Sequence, residues 1–203
     1  MIPPERRSEL AKVGRRTALL ILMKKAVFIE RDGVLNAVTE SDGQPVPPCR
    51  VENFRVQEGA REALQQLKDA GFLVFVTTVQ SGVGRGEVSR SEVDRMHRRL
   101  SVLLPFDEIF LCASDDETHP CFKPNPGLFQ EAMHRWRLEP SQCFVLSDKA
   151  PDAQAARILG LTSIMIRSPW LGDDHHDFVL ENLAKAVAKI IHLSKELRSL
   201  NWV

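Results

Sequence analysis

The sequence predicts an α/β protein whose central parallel sheet is covered by helices on both faces. Short apolar runs, typical of buried strands, alternate with longer segments in which apolar residues recur at helical spacing. The links between these segments are short, which favours parallel strands joined by helical crossovers. With 203 residues, 43% of them hydrophobic, the chain can form one domain with a large buried core.

The first strand, 26–29, is an apolar run that ends in Glu30, Asp32 and Gly33. The helix predicted next, 58–70, has apolar residues at helical spacing and is followed by Gly71, a typical C-cap. Further strands are expected at 72–76, 109–112, 143–146 and 163–166. Further helices are expected at about 90–104 and at 126–136, 152–159 and 177–197.

We expect three parts: a basic N-terminal extension over residues 1–22, a folded domain over 23–192, and a helix end and tail over 193–203. Lys24 and Lys25 follow the short apolar patch of the extension, so the segment lacks the long apolar region of a secretory signal.

The composition argues against several classes of partner. Lys and Arg number 27, as do Asp and Glu, so no net charge favours binding to nucleic acid or to an anionic membrane. No apolar run approaches the length of a membrane span. The four cysteines are too few and too scattered for a disulfide scaffold, so we expect a protein of the reducing cytoplasm.

Polar residues follow three of the predicted strands, where open α/β sheets place their ligands. Glu30 and Asp32 follow the first strand, Thr78 the second and Asp148 the fourth, and Lys123 precedes a helix. Carboxylates suit Mg²⁺, while a lysine and a hydroxyl suit phosphate oxygens. The combination predicts phosphoryl transfer, in which one carboxylate attacks and a second acid protonates the leaving group.

Four motifs in this order resemble the haloacid dehalogenase-like (HAD) superfamily, in the capless branch that contains histidinol-phosphate and heptose-bisphosphate phosphatases. Residues 30–36, Glu-Arg-Asp-Gly-Val-Leu-Asn, resemble that branch's Asp-x-Asp-Gly-x-x-Asn. Residues 78–82 resemble its Thr-Asn-Gln-Ser-Gly, and 122–127 its Arg-Lys-Pro-x-Pro-Gly. Residues 147–152 resemble its Gly-Asp-Lys-x-x-Asp. The resemblance implies a Rossmann-like fold without a large cap domain.

The resemblance also implies a role for each matching residue. Glu30 stands at the nucleophile position, and Asp32 would be the general acid and base. Thr78 and Lys123 would bind the transferring phosphoryl group. The substrate would also contact Ser81, Arg85 and Lys149. Mg²⁺ would be held by Glu30, Asp32, Asp148 and Asp152.

The chain departs from the family pattern at the reacting centre. Glu30 replaces Asp, and its extra methylene moves the carboxylate by about 1.5 Å. A misplacement of about 1 Å can cost on the order of 100-fold in rate. Val79 stands where Asn is expected and cannot hydrogen-bond through its side chain, and Phe122 stands where Arg is expected. Ser147 replaces Gly.

A zinc loop is common in this branch, and here it is reduced. Cys112, His119 and Cys121 could supply three zinc ligands, whereas a structural zinc normally has four. The alternative is an ordinary surface loop with a buried Cys112.

Two functions therefore stay open. The first is Mg²⁺-dependent hydrolysis of a small phosphorylated metabolite, a phosphomonoester. The second is a non-catalytic binding or structural protein built on the same scaffold. A phosphatase acting on polynucleotide ends is disfavoured because the sequence shows no basic stripe.

Overall fold

The computed structural model describes residues 24–172 and 176–199, and the side chains of 24–172 and 176–196. The strands are β1 (Lys25–Glu30), β2 (Thr39–Ser41), β3 (Gln44–Val46), β4 (Phe72–Val79), β5 (Glu108–Cys112), β6 (Cys143–Ser147), β7 (Thr162–Ile166) and β8 (Phe178–Leu180). The helices are α1 (Ala60–Asp69), α2 (Ser81–Gly84), α3 (Arg90–Leu103), α4 (Gly127–Trp136), α5 (Ala150–Leu159) and α6 (Leu183–Ser199).

Six strands form one parallel sheet in the order β5-β4-β1-β6-β7-β8. β1 lies in the middle and all six of its residues are buried, as expected of a parallel strand covered on both faces. The predicted α/β class with a central parallel sheet is confirmed.

Alternate residues of β1 enter two separate cores because successive strand side chains point to opposite faces. Val27 and Ile29 belong to the core that holds the apolar faces of α1, α3 and α6. Ala26 and Phe28 belong to the core under α4 and α5. The helices therefore cover both faces of the sheet, and the carboxyl ends of its strands are left at one edge.

Only a small hairpin, β2–β3, projects between β1 and α1. Over 24–172 and 176–199 the structure has no second folded unit of cap size, as predicted.

The last part of the chain differs from the prediction of a helix over 177–197. Phe178–Leu180 forms β8, a sixth sheet strand, and the helix begins only at Leu183. Asp177, expected inside that helix, instead precedes β8. Its carboxylate accepts hydrogen bonds from the backbone N–H and the hydroxyl of Ser163. The cap is Asn182, whose side-chain oxygen accepts a bond from Lys185 N.

The predicted extension, residues 1–22, lies outside the described residues, so the division at residue 23 stays a prediction. Among the helices of the described ranges, none combines the length and apolar character that crossing a bilayer requires.

Candidate active site

The site begins where β1 ends. The parallel register places Glu30 beside Thr77 of β4, next to the end of β6. The Glu30 side chain is buried, and its Oε1 accepts hydrogen bonds from the backbone N–H groups of Arg31 and Asp32. Two backbone donors and a neighbouring cation thus hold this carboxylate in one orientation.

Lys123 is the cation beside Glu30. Its Nζ lies 2.6 Å from Glu30 Oε2 and 2.5 Å from Asp152 Oδ1, and it also donates to the carbonyl of Thr77. Burial alone would lower the pKa of Lys123, but the attraction of Asp152 and Glu30 outweighs this effect and raises the pKa. The ammonium therefore stays charged. Burial alone would raise the pKa of Glu30, but Lys123 and then Lys149 lower it, so Glu30 is a carboxylate at neutral pH.

Asp32 is held by several donors. The guanidinium of Arg31 bonds both of its carboxylate oxygens, at 3.0 and 2.9 Å from Nη2. Asn36 Nδ2 donates to Oδ1, and Gln80 Nε2 donates to Oδ2 at 2.6 Å. The Thr78 hydroxyl lies 3.5 Å from the same Oδ2. Burial opposes ionisation, but Arg31 and Lys149 prevail and lower the pKa of Asp32.

Arg31 is fully buried, a rare position for an arginine, and it links the site to a helix. Its Nη1 lies 2.9 Å from Nε2 of His97 on α3. Burial and then the charge of Arg31 lower the pKa of His97 to about 4, so the imidazole is neutral and accepts this bond. Helix α3 thereby helps to hold Asp32 in place through Arg31.

Asp148, after β6, has one buried oxygen without a hydrogen-bond partner, Oδ1. Its Oδ2 accepts a bond from Trp170 Nε1 at 2.9 Å. Gly33 makes this approach possible: a Cβ there would lie 2.1 Å from Asp148 Oδ2, and its φ of +97° favours glycine. Burial raises the pKa of Asp148 to about 6.

The donor set fits a divalent cation, because an unpartnered buried carboxylate oxygen is costly unless a cation or proton satisfies it. Glu30, the Asp32 carbonyl and Asp148 would be the groups to hold Mg²⁺. Asp152 instead forms an ion pair with Lys123, so it would influence the metal only indirectly.

Lys149 lies against two of those groups. Its Nζ donates to the Asp32 carbonyl at 2.6 Å and lies 3.7 Å from Glu30 Oε1. Its side chain is 24% exposed and that of Lys123 is 3% exposed, so Lys149 is the more accessible of the two amines.

A pocket of about 170 Å³ opens at this point. It is lined by Glu30, Val79, Phe122, Lys123, Lys149, Pro151 and Asp152. Two of the residues predicted to bind substrate, Ser81 and Arg85, are not among these lining residues. Arg85 is exposed and forms an ion pair with Glu87.

The candidate zinc residues do come together, with ligand atoms within 4.8 Å of one another. Cys112 and Cys121, however, are joined by a disulfide, and His119 Nδ1 lies 2.9 Å from Cys121 Sγ. Disulfide sulfurs are not thiolates, so this form does not support the zinc expectation. The bond also departs from the expectation of reduced cysteines.

The sequence motifs assign no role to Arg31, Asn36, Gln80, His97 and Trp170. Arg31, Asn36 and Gln80 nevertheless lie inside the matched motifs, which is a usable signal. His97 and Trp170 carry no signal, because only tertiary packing brings them to the acids.

Comparisons with known proteins agree with this geometry. A family model described as haloacid dehalogenase-like hydrolase matches residues 10–160. The D-glycero-beta-D-manno-heptose-1,7-bisphosphate 7-phosphatase of Haemophilus ducreyi is 31% identical over 182 residues, covering 81% of this chain and 97% of the relative. The enzyme of the same name from Pasteurella multocida is 31% identical over 179 residues, covering 80% and 94%.

Among solved structures, a D,D-heptose 1,7-bisphosphate phosphatase from B. bronchiseptica, complexed with magnesium and phosphate, matches with a TM-score of 0.71. The match covers 83% of this chain and 99% of that one at 24% identity, which bears on the fold alone. The family model spans most of the chain and includes β1, Lys123, Asp148 and Asp152. This chain therefore belongs to the haloacid dehalogenase-like hydrolases, in their capless branch.

Proposed function

We propose that the protein binds Mg²⁺ and hydrolyses a phosphomonoester of a small phosphorylated metabolite. One observation carries the proposal: Glu30, Lys123, Lys149 and Asp152, from three separate segments, line one small pocket at the carboxyl edge of the sheet. Such an edge is where open α/β sheets bind ligands. The phosphatase names of the two relatives support the reaction class.

The roles follow from position and charge. Glu30, ionised and held by two backbone N–H groups, would attack phosphorus as the P–O bond to the leaving group breaks. Asp32 would give a proton to the leaving oxygen and then take one from the water that hydrolyses the carboxyl phosphate. Lys123, Lys149 and Thr78 would stabilise the charge on the phosphoryl oxygens. When bound, Mg²⁺ would neutralise part of that charge.

A second candidate is binding without turnover, and two observations favour it. Glu30 is one methylene longer than the Asp of the family motif. Asp32 has a lowered pKa and accepts bonds from Arg31 on both oxygens, which opposes the protonated form that a general acid needs.

The test measures phosphate release from a panel of phosphomonoesters with Mg²⁺, for the native protein, Glu30→Asp and Glu30→Ala. We expect Glu30→Ala to abolish release and Glu30→Asp to raise it by up to about 100-fold, since the shorter side chain restores the in-line position. Circular dichroism would verify that each variant folds.

A native rate equal to that of Glu30→Ala, with a gain only in Glu30→Asp, would overturn hydrolysis and support the binding protein. No release from any of the three, together with no binding of inorganic phosphate, would overturn both candidates.

A further inference from the structure

Part of the pocket lining is apolar. Val79, Phe122 and Pro151, here called the apolar rim, line the pocket beside the charged groups. Val79 and Phe122 are half-buried and pack on the core under α4 and α5, and this packing holds their side chains in position. Pro151 is exposed and belongs to the first turn of α5.

Phe122 is also fixed along the chain. Its N–H donates to the His119 carbonyl and its own carbonyl accepts from Asn125 N, both at 2.9 Å. The preceding residue, Cys121, is tied to the end of β5 by the disulfide. The following residue, Lys123, is held by Glu30 and Asp152. A side chain so placed is a preorganised wall of the pocket rather than a mobile surface group.

The acidic and basic side chains that line the pocket are paired with one another. Lys123 pairs with Glu30 and Asp152, while Lys149 lies on the Asp32 carbonyl and near Glu30. Among the described residues that line the pocket, no further cation is present. Two amines with a divalent cation suffice for one phosphate dianion, but a second phosphate group would meet the apolar rim. Burial of a charge against apolar groups without a partner is strongly unfavourable.

We propose that this site takes a monophosphate whose group next to the ester oxygen is apolar, such as an aryl or branched alkyl group, and rejects a bisphosphate. Phe122 is the specificity-determining residue, and the aryl group stacks on it. The proposal rests on the phosphate-binding function above and narrows its substrate class. It separates this chain from relatives whose names specify a bisphosphate.

Binding of non-hydrolysable probes tests the proposal without relying on turnover. Inorganic phosphate, phenylphosphonate and propane-1,3-diphosphonate are titrated calorimetrically into the full chain with Mg²⁺. We expect phenylphosphonate to bind about tenfold more tightly than phosphate, the size of one good aromatic contact. The diphosphonate should bind no more tightly than phosphate.

Two variants connect the preference to Phe122. Phe122→Arg should lose the preference for phenylphosphonate and bind the diphosphonate at least tenfold more tightly than the native protein does. Phe122→Leu keeps an apolar wall and should retain part of the preference, which keeps the test decisive if the arginine variant fails to fold. Val102→Arg, at an exposed site that does not line the pocket, controls for the added charge.

The outcomes distinguish a failure of the proposed specificity from a failure of the proposed phosphate binding. Phosphate binding with no gain for phenylphosphonate, or with tighter binding of the diphosphonate by the native protein, overturns the specificity and leaves phosphate binding intact. Absence of binding by all three probes overturns the proposed function itself.

Discussion

Two buried side chains in the site, Asp148 and His97, have pKa values shifted in opposite senses from their ordinary values. The pKa of Asp148 is raised to about 6, by burial first, and that of His97 is lowered to about 4, again by burial first. Each shift favours the neutral form in the folded chain, as desolvation predicts. Between about pH 4 and pH 6 the two groups change the free energy of unfolding in opposite directions and partly cancel in the native protein. Each effect is therefore measured as the difference between the native protein and the variant that lacks that one group.

Asp148→Asn should stabilise the metal-free protein at pH 7.5. The native carboxylate is ionised above pH 6 and its burial then costs folding free energy, whereas below pH 4 it is protonated in both states and the cost vanishes. A shift from 3.8 to about 6 corresponds to roughly 2–3 kcal/mol. Urea unfolding in EDTA measures the gain at pH 7.5 and its loss near pH 4.

Mg²⁺ should stabilise the native protein but not Asp148→Asn, because the variant lacks the orphaned oxygen anion. A variant less stable than the native protein at pH 7.5 in EDTA would contradict the cost assigned to this carboxylate.

His97→Gln should reduce the decrease in unfolding free energy that the native protein shows as the pH falls below 6.5. The native imidazole is neutral when folded down to about pH 4 but protonates below pH 6.5 when unfolded, so its contribution is present above pH 6.5 and lost as the pH falls toward 4. Glutamine still offers Arg31 an acceptor and does not titrate. We expect a flatter curve of unfolding free energy between pH 6.5 and 4, by up to about 3 kcal/mol. A variant with the native slope would show that His97 is not the titrating group.

At the scale of elements, the carboxyl ends of the parallel strands determine where the site lies. The acids Glu30, Asp32 and Asp148 could be assigned from sequence because each follows a buried apolar run, and parallel strands end at one edge. β8 could not, since its three residues, 178–180, are too few to show a period and also fit the apolar spacing of the helix after them. The link from Arg31 to His97 depends on how α3 packs, which no local pattern encodes.

The loop that carries Lys123 is fastened by the Cys112–Cys121 disulfide, across a sequence separation of 9 residues. Closing a loop of this size stabilises the fold by about 2–3 kcal/mol in the chain-entropy account. We expect two free thiols, Cys49 and Cys143, when the unreduced protein is unfolded and titrated. Reduction should lower the melting temperature, and zinc should stay below about a tenth of an equivalent.

Cys49→Ser, at an exposed cysteine, is the matched control and should melt like the native protein. Four free thiols, or zinc in stoichiometric amount, would contradict the disulfide-fastened loop and restore the zinc hypothesis.

For the whole molecule, the fold class, the parallel sheet with covered faces and the lack of a large cap domain were predicted from periodicity and from the resemblance of four motifs. The gathering of Glu30, Lys123 and Asp148 followed as well. What the motifs could not supply is the environment of each group: the buried Arg31, the orphaned Asp148 oxygen and the apolar rim all depend on distant segments packing together. Family membership thus identifies the scaffold, and the surroundings of each site residue determine how this protein differs from its relatives.

The central claim is that one tetrahedral oxyanion binds between Glu30, Lys123 and Lys149. The most direct measurement is a crystal structure of the native protein with Mg²⁺ and tungstate, a heavy tetrahedral anion that anomalous scattering locates without bias. We predict a peak in the 170 Å³ pocket within hydrogen-bond distance of Lys149 Nζ, and a second density on Asp148 Oδ1. Tungstate absent from this pocket at saturating concentration, or bound only elsewhere on the surface, would contradict the account.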